Sequence, residues 1–253
     1  MSHSFENKVA FITGGTSGIG KTTAVAFAKA GAKVALTGRR EEQGNAVVQE
    51  IKDAGGEAIF IQSDVADEAQ VKRAVEETVE TFGALHHAFN NAGVEGVFAP
   101  THEQTEGNAR NVFDVNVLGV LFSMKHEVPA ILKSGGGTIV NNSSILGLRG
   151  IPGGSVYNAS KFAVNGMTKV AALEYSAEGI RVNAVHPAVI ETDMSDRFLG
   201  GDEETIAFMK SQHPQGRFGQ ASEIADAVLW LSSDQSSFVS GVSLPVDGGF
   251  TAK

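Results

Sequence analysis

The sequence predicts an α/β fold: one doubly wound, seven-stranded parallel sheet with helices on both faces, built by a single domain over residues 1–253. Three observations carry this expectation. Short β-branched runs recur with helical segments between them. Those runs are mostly apolar without strict alternation, as strands covered on both sides require. A chain of 253 residues with 42% apolar and 19% charged content is large enough for one continuous core.

The strand runs fall at 8–13, 32–37, 58–62, 85–90, 138–143, 180–186 and 241–246. The first leads into a glycine turn and a helix with Ile19, Thr23, Ala26, Phe27 and Ala30 on one face. Before the fourth, Val71, Ala74, Val75, Thr78, Val79 and Phe82 form a stripe at helical spacing, and Asp67 with Gln70 reads as the capping pair at its start. Gly31, Gly55-Gly56, Gly83 and Gly135-Gly136-Gly137 each close a helical stretch just before a strand. Residues 187–219 break the short-loop pattern. Ile190, Met194, Phe198, Leu199, Ile206, Phe208 and Met209 there suit one or two short amphipathic helices, and an insertion of that length is expected to be a substrate lid.

Composition removes several function classes. Twenty basic against 29 acidic residues give a formal charge of −9, a field that repels nucleic acid and anionic lipid. With no cysteine there are no disulfides, thiolate metal sites or cysteine nucleophiles, and a reducing, cytoplasmic setting fits. The amino-terminal stretch carries only a short apolar run after Lys8, Val9-Ala10-Phe11-Ile12, too short for a secretory leader, and no run of 18 apolar residues announces a membrane span. His86 and His87, adjacent on a strand, point to opposite faces, and no metal is expected.

After the first strand comes Thr13-Gly14-Gly15-Thr16-Ser17-Gly18-Ile19-Gly20. A strand, a tight glycine turn and a helix start present free backbone N–H groups to a phosphate. Gly14 would make the turn, Gly18 would admit a pyrophosphate, and Gly20 would let helix and strand pack closely. The same letters, Gly15 through Lys21-Thr22, also match the P-loop pattern of NTPases, for which Asp64 is the one weak Mg²⁺-holding candidate.

Tyr157 and Lys161 stand one helical turn apart at the start of an apolar-periodic helix. At that spacing an ammonium stabilises a tyrosinate and lowers a phenol from its ordinary value of about 10 toward neutrality, which requires about 4 kcal/mol. The product is a general acid usable near neutral pH. Ser144, at the mouth of the fifth strand, can donate to a substrate oxygen. Glycine turn, serine and Tyr/Lys pair all fall at the carboxyl ends of parallel strands, where open α/β sheets bind ligands. Tyr175, the other tyrosine, lies about 27 Å further along the helix.

Thr13-Gly14-x-x-x-Gly18-x-Gly20, Asn90-Asn91-Ala92-Gly93, Asn116 in Asp114-Val115-Asn116-Val117, Ser144, Tyr157-x-x-x-Lys161 and Val246-Asp247-Gly248-Gly249 together resemble the short-chain dehydrogenase/reductase family, with its Rossmann-like fold, over essentially the whole chain. The resemblance implies that Tyr157 donates or accepts the proton and that Ser144 orients the carbonyl. It further implies that Lys161 binds the nicotinamide ribose while lowering the tyrosine pKa, and that Asn116 holds a water in a proton relay. Thr16, Ser17 and Ile19 would line the pyrophosphate, and Asp64 and Val65 the adenine. Asn90, Ala92 and Gly93 would take the adenosine side, and Pro187, Val189 and Thr192 the carboxamide. Ala188 departs from the glycine usual after that proline. Asn91 reads as a structural bridge between strands. A homotetramer is expected on the same ground.

The second strand ends in Thr37-Gly38-Arg39-Arg40, where an NAD enzyme needs a carboxylate for the ribose hydroxyls. Gly38 offers none, while Arg39 and Arg40 suit a 2′-phosphate, so NADP(H) is expected in preference to NAD(H). The lid's Met, Phe, Leu and Ile content predicts a ketone or secondary alcohol with an apolar substituent, contacted by Val94, Ile145, Leu146, Met194 and Phe198. A 3-oxoacyl thioester is the alternative substrate.

Overall fold

The computed structural model describes residues 4–195 and 200–252. Each predicted run forms a strand: β1 (Val9–Thr13), β2 (Lys33–Gly38), β3 (Glu57–Gln62), β4 (His87–Asn90), β5 (Gly137–Asn142), β6 (Ile180–Pro187) and β7 (Ser243–Val246). They pair in parallel throughout, in the order β3-β2-β1-β4-β5-β6-β7. The helices are α1 (Gly18–Lys29), α2 (Glu41–Asp53), α3 (Glu68–Phe82), α4 (Glu106–Phe113), α5 (Gly119–Lys133), α6 (Ser155–Tyr175), α7 (Glu203–Ser211) and α8 (Ala221–Ser232).

Successive strand residues point to opposite faces, and the core divides accordingly. Ala10, Ile12, Val34 and Leu36 pack with α1, α2 and α8 through Phe27, Ile51, Ile224 and Val228. Phe11, Ala35 and Ile139 pack on the other face with α3, α5 and α6 through Val75, Met124, Ile131 and Val164. Full burial of each large side chain contributes about 1.5–3 kcal/mol, so both layers are held by the uninterrupted apolar strands.

Asp67 caps α3 as its spacing predicts: its Oδ1 accepts from the backbone N–H of Ala69 at 2.9 Å, and Gln70 Nε2 donates to its Oδ2 at 2.8 Å. Gly83 ends that helix in the left-handed region, with φ of 80°. A π turn at Asp114–Leu118 joins α4 to α5. The resulting stretch Glu106–Lys133 is long and apolar enough on average to cross a membrane, although it holds no run of 18 apolar residues, and half of its most apolar window is buried. Val120, Met124, Val128 and Ile131 of α5 supply that burial.

Of the predicted lid, α7 supplies the expected short helix, and reciprocal backbone bonds between Val189–Glu191 and Gly219 pin its two ends together. Phe198 and Leu199 lie outside the described residues.

Candidate active site

β1 is flanked by β2 and β4, so the strand order reverses there and leaves a crevice at the carboxyl ends. A cavity of about 590 Å³ occupies it. At one end is the glycine turn. Ser17, the N-cap of α1, makes no side-chain cap bond, so the leading N–H groups of the helix remain available to an anion. A Cβ on Gly14 would lie 2.9 Å from Ala92 Cα, and one on Gly20 would lie 2.3 Å from the Gly14 carbonyl oxygen. These glycines therefore let the turn, the start of α1 and the loop after β4 pack closely, with the free N–H groups at the helix start left facing the crevice. The P-loop reading fails at the side chain that defines it: Lys21 turns out to Glu50 at 2.8 Å, and Thr22 Oγ1 donates to the Gly18 carbonyl.

Gly14, Thr16, Ser17, Gly18, Ile19, Arg39, Arg40, Asp64, Val65, Ala92 and Gly93 line this end, and Pro187, Ala188, Val189 and Thr192 the middle. Gly20 serves helix packing behind the wall. Asn90, expected on the adenosine side, is not among the lining side chains. It ends β4 with its side chain turned into the core, where Nδ2 donates to Glu127 Oε2 and to Asn141 Oδ1, each at 3.0 Å. Asn91 is the strand bridge expected: its Nδ2 donates to the Thr13 and Gly14 carbonyls, and its Oδ1 accepts from Asn142. Arg40 donates to Thr16 Oγ1 at 3.1 Å and Ser17 Oγ at 2.7 Å, while Arg39 lies 3.8 Å from Asp64.

At the far end Ser144, Tyr157 and Lys161 converge with Val94, Ile145, Leu146 and Met194. Lys161 Nζ donates to the Asn142 carbonyl at 2.9 Å and lies 5.6 Å from the Tyr157 ring centroid. The protein surroundings do not by themselves acidify the phenol as the pairing predicts. Burial pushes Tyr157 up to about 12; the Ser144 hydroxyl acts against that rise, and the Glu95 carboxylate adds to it. Burial likewise brings Lys161 down to about 8. A low-dielectric pocket penalises tyrosinate and ammonium alike.

Asn116 stands behind the wall, not on it. Its Oδ1 accepts from Val94 N–H at 2.8 Å, and its Nδ2 donates to the Val94 carbonyl and to Ser160 Oγ.

Several positioning residues escape sequence reading. His186 Nδ1 bonds the Ser144 carbonyl at 2.6 Å from a buried place on β6. Asn158 Nδ2 donates to the carbonyls of Leu146 and Arg149, and Asn165 Nδ2 to that of Gly147, tying the loop after Ser144 to α6. The available signal was their seven-residue separation on one side of α6. Glu95 and Phe98, on the loop after β4, also line the cavity, and the Phe98 ring lies 6.0 Å from that of Tyr157.

A strand-turn-helix anion cradle joined to a Ser/Tyr/Lys cluster defines a class, the nicotinamide-dependent oxidoreductases. Comparison with known proteins makes it specific. A family model described as Enoyl-(Acyl carrier protein) reductase matches residues 14–251. Cyclohexanol dehydrogenase of Acinetobacter sp. strain SE19 is 49% identical over 253 residues, covering 100% of this chain and 98% of that one. A 2,5-dichloro-2,5-cyclohexadiene-1,4-diol dehydrogenase of Sphingobium indicum is 41% identical over 246 residues, 97% of each chain. The crystal structure of levodione reductase superposes with a TM-score of 0.94 at 36% identity, covering 98% of this chain and 99% of that one. The chain belongs to the short-chain dehydrogenase/reductase family of nicotinamide-dependent oxidoreductases, and its alcohol and diol dehydrogenase relatives support action on a CH–OH group.

Proposed function

We propose that this protein interconverts a ring secondary alcohol and its ketone with NADP(H), with Tyr157 as the acid/base. The observation that carries the reading is the convergence of Tyr157, Ser144 and Lys161 at the apolar end of a cavity whose other end is the uncapped start of α1. A nicotinamide dinucleotide supplies or accepts the hydride when bound. Ser144 holds the substrate oxygen, and Tyr157 Oη gives the proton to it in reduction or takes it in oxidation. Lys161, anchored on Asn142 and 5.6 Å from the Tyr157 ring, is the cation that would act with a bound cofactor against the burial that disfavours tyrosinate. The Asn116 amide is engaged with Val94 and Ser160 Oγ, so it serves to hold the loop after β4 against α6. The segment 187–219 acts as the lid, with Met194 facing the substrate.

The phosphate choice rests on the end of β2. A Cβ at Gly38 would lie 2.7 Å from Thr16 Cγ2, which disfavours the carboxylate that would select NAD(H), and Arg40 is already fixed on the turn hydroxyls. The alicyclic substrate is supported by similarity to the cyclohexanol and cyclohexadienediol dehydrogenases and by the apolar walls. Homotetramer assembly is supported by exposed apolar side chains on α5 and α6, among them Leu121, Phe162, Val170 and Leu173.

The test is absorbance at 340 nm with cyclohexanone, cyclohexanol and a 3-oxoacyl thioester, each with both dinucleotides. The reading expects turnover of the alicyclic pair and at least tenfold higher kcat/KM with NADP(H). Activity on the thioester alone would move the substrate to the alternative class, and a preference for NAD(H) would reject the role given to Arg39 and Arg40.

A further inference from the structure

Ser144 is held through its main chain as well as its hydroxyl. Its Oγ accepts from Leu146 N–H at 3.1 Å, and its carbonyl accepts twice, from Gly147 N–H at 2.8 Å and from His186 Nδ1 at 2.6 Å. The first of those carbonyl bonds is local to the turn. The second comes from β6, 42 residues further along the chain, on the face of the sheet that Ile180 and Val182 turn toward α6.

A carbonyl oxygen only accepts, so Nδ1 carries the proton and Nε2 the lone pair. Burial, aided by the Lys161 and Lys169 charges, outweighs the bond to the carbonyl and keeps the imidazole below its ordinary value, hence neutral at pH 7. The side chain is fully buried, and Nε2 has no partner among the described residues. For the fold alone an apolar side chain would serve better there, because a buried polar atom without a partner costs stability. What the imidazole supplies is a donor that fixes Ser144 from β6.

Its place in the chain gives that donor a further consequence. Pro187, Ala188 and Val189 follow directly and line the middle of the cavity, between the glycine turn and the Ser/Tyr/Lys cluster. The preceding residues are joined as well: Ser143 N–H donates to the Val185 carbonyl at 2.9 Å, and Ser143 Oγ donates to the Lys161 carbonyl at 3.1 Å. His186 thus links the segment that would hold the hydride-carrying ring to the serine that would hold the substrate oxygen. Hydride transfer depends steeply on that spacing, since a misplacement of about 1 Å can cost about 100-fold in rate.

We infer that His186 is a positioning residue for the chemical step: through its Nδ1–H it sets Ser144 in register with the segment 187–189, and so governs the rate of hydride transfer and not the affinity for the dinucleotide. This rests on the ring-alcohol reading above.

The experiment measures kcat and KM for cyclohexanone, with the reduced dinucleotide that the wild type prefers, in His186→Leu, His186→Asn, Ser144→Ala and the double variant of His186→Leu with Ser144→Ala. Leucine removes the donor; asparagine returns one, because its Nδ2 falls near the place of Nδ1. Dinucleotide binding, followed by fluorescence, reports that each variant is folded. His186→Leu is expected to lose about 30-fold in kcat, with KM and dinucleotide affinity kept within about threefold. His186→Asn should recover to within about fivefold of the wild type. In the Ser144→Ala background the leucine change should cost less than about threefold, because a residue that acts through the serine hydroxyl has nothing left to align.

Equal losses in both serine backgrounds, an asparagine variant no better than leucine, or a folded His186→Leu within twofold of the wild type each overturn the inference while leaving the ring-alcohol reading intact. Should the leucine variant fail to fold, ¹⁵N resonances of the wild-type histidines decide. A protonated Nδ1 with a bare Nε2 at pH 7 supports the inference, and the opposite tautomer overturns it. A wild type that turns over neither cyclohexanone nor cyclohexanol overturns both.

Discussion

Glu127 lies fully buried on α5 beneath the site, with Asn90 Nδ2 as its hydrogen-bond donor and Oε1 without a partner among the described residues. Burial raises its carboxyl from 4.5 to about 8. Between those values the folded chain keeps a proton that the unfolded chain has released. The stability it contributes is therefore complete below pH 4.5 and lost as pH rises through 8. Glu127→Gln keeps an acceptor for Asn90 and carries no charge. Its unfolding free energy should match the wild type near pH 4.5 and exceed it increasingly toward pH 8, by an amount on the order of a few kcal/mol, read from denaturant titrations. A pH-independent difference would contradict this. Glu127 was not legible in the sequence, because an isolated acid in an apolar helix reads as surface until its neighbours are known. Tyr157, Lys161 and Ser144 were legible because helical and strand spacing alone bring them to one end of the sheet. The direction of the tyrosine shift was not, since desolvation depends on walls contributed by distant loops.

The strand-turn-helix element β1-α1 shows why local spacing carried the cofactor end so far. Gly20 sits in the first turn of α1, where a Cβ would meet the Gly14 carbonyl oxygen at 2.3 Å and Asn91 Nδ2 at 2.5 Å. Neither can retreat, because the first is backbone and the second is bonded to two carbonyls. Gly20→Ala should thus push α1 off the turn, weakening NADPH binding tenfold or more in a fluorescence titration and destabilising the fold by about 1–3 kcal/mol. Unchanged binding would show that the helix start does not set the phosphate site. Glycines and strand runs announced this element and all seven strands. The π turn at Asp114–Leu118 was not announced, because a single extra residue in a helical turn leaves the apolar spacing nearly intact. The face taken by the Asn90 side chain was not announced either: a motif shows that an asparagine ends a strand, but which face it takes follows from the register with β5.

On the scale of the whole molecule, the two faces of the sheet divide the work. The layer with α1, α2 and α8 forms the anion cradle, and α6 in the opposite layer carries the proton-transfer pair on a helix that also exposes Phe162, Val170 and Leu173. If that exposed face joins copies of the chain, light scattering should give a mass of four times 26.4 kDa, and Val170→Glu should break the assembly; a monomeric wild type would contradict the proposed tetramer. Both layers meet at the crevice beside β1, and the account depends on a phenol there moving the proton. The most direct measurement is Tyr157→Phe, assayed for cyclohexanol oxidation alongside NADPH binding. The account predicts a loss of kcat/KM of about 10³-fold or more with cofactor affinity kept within about threefold; turnover near the wild-type rate would contradict it.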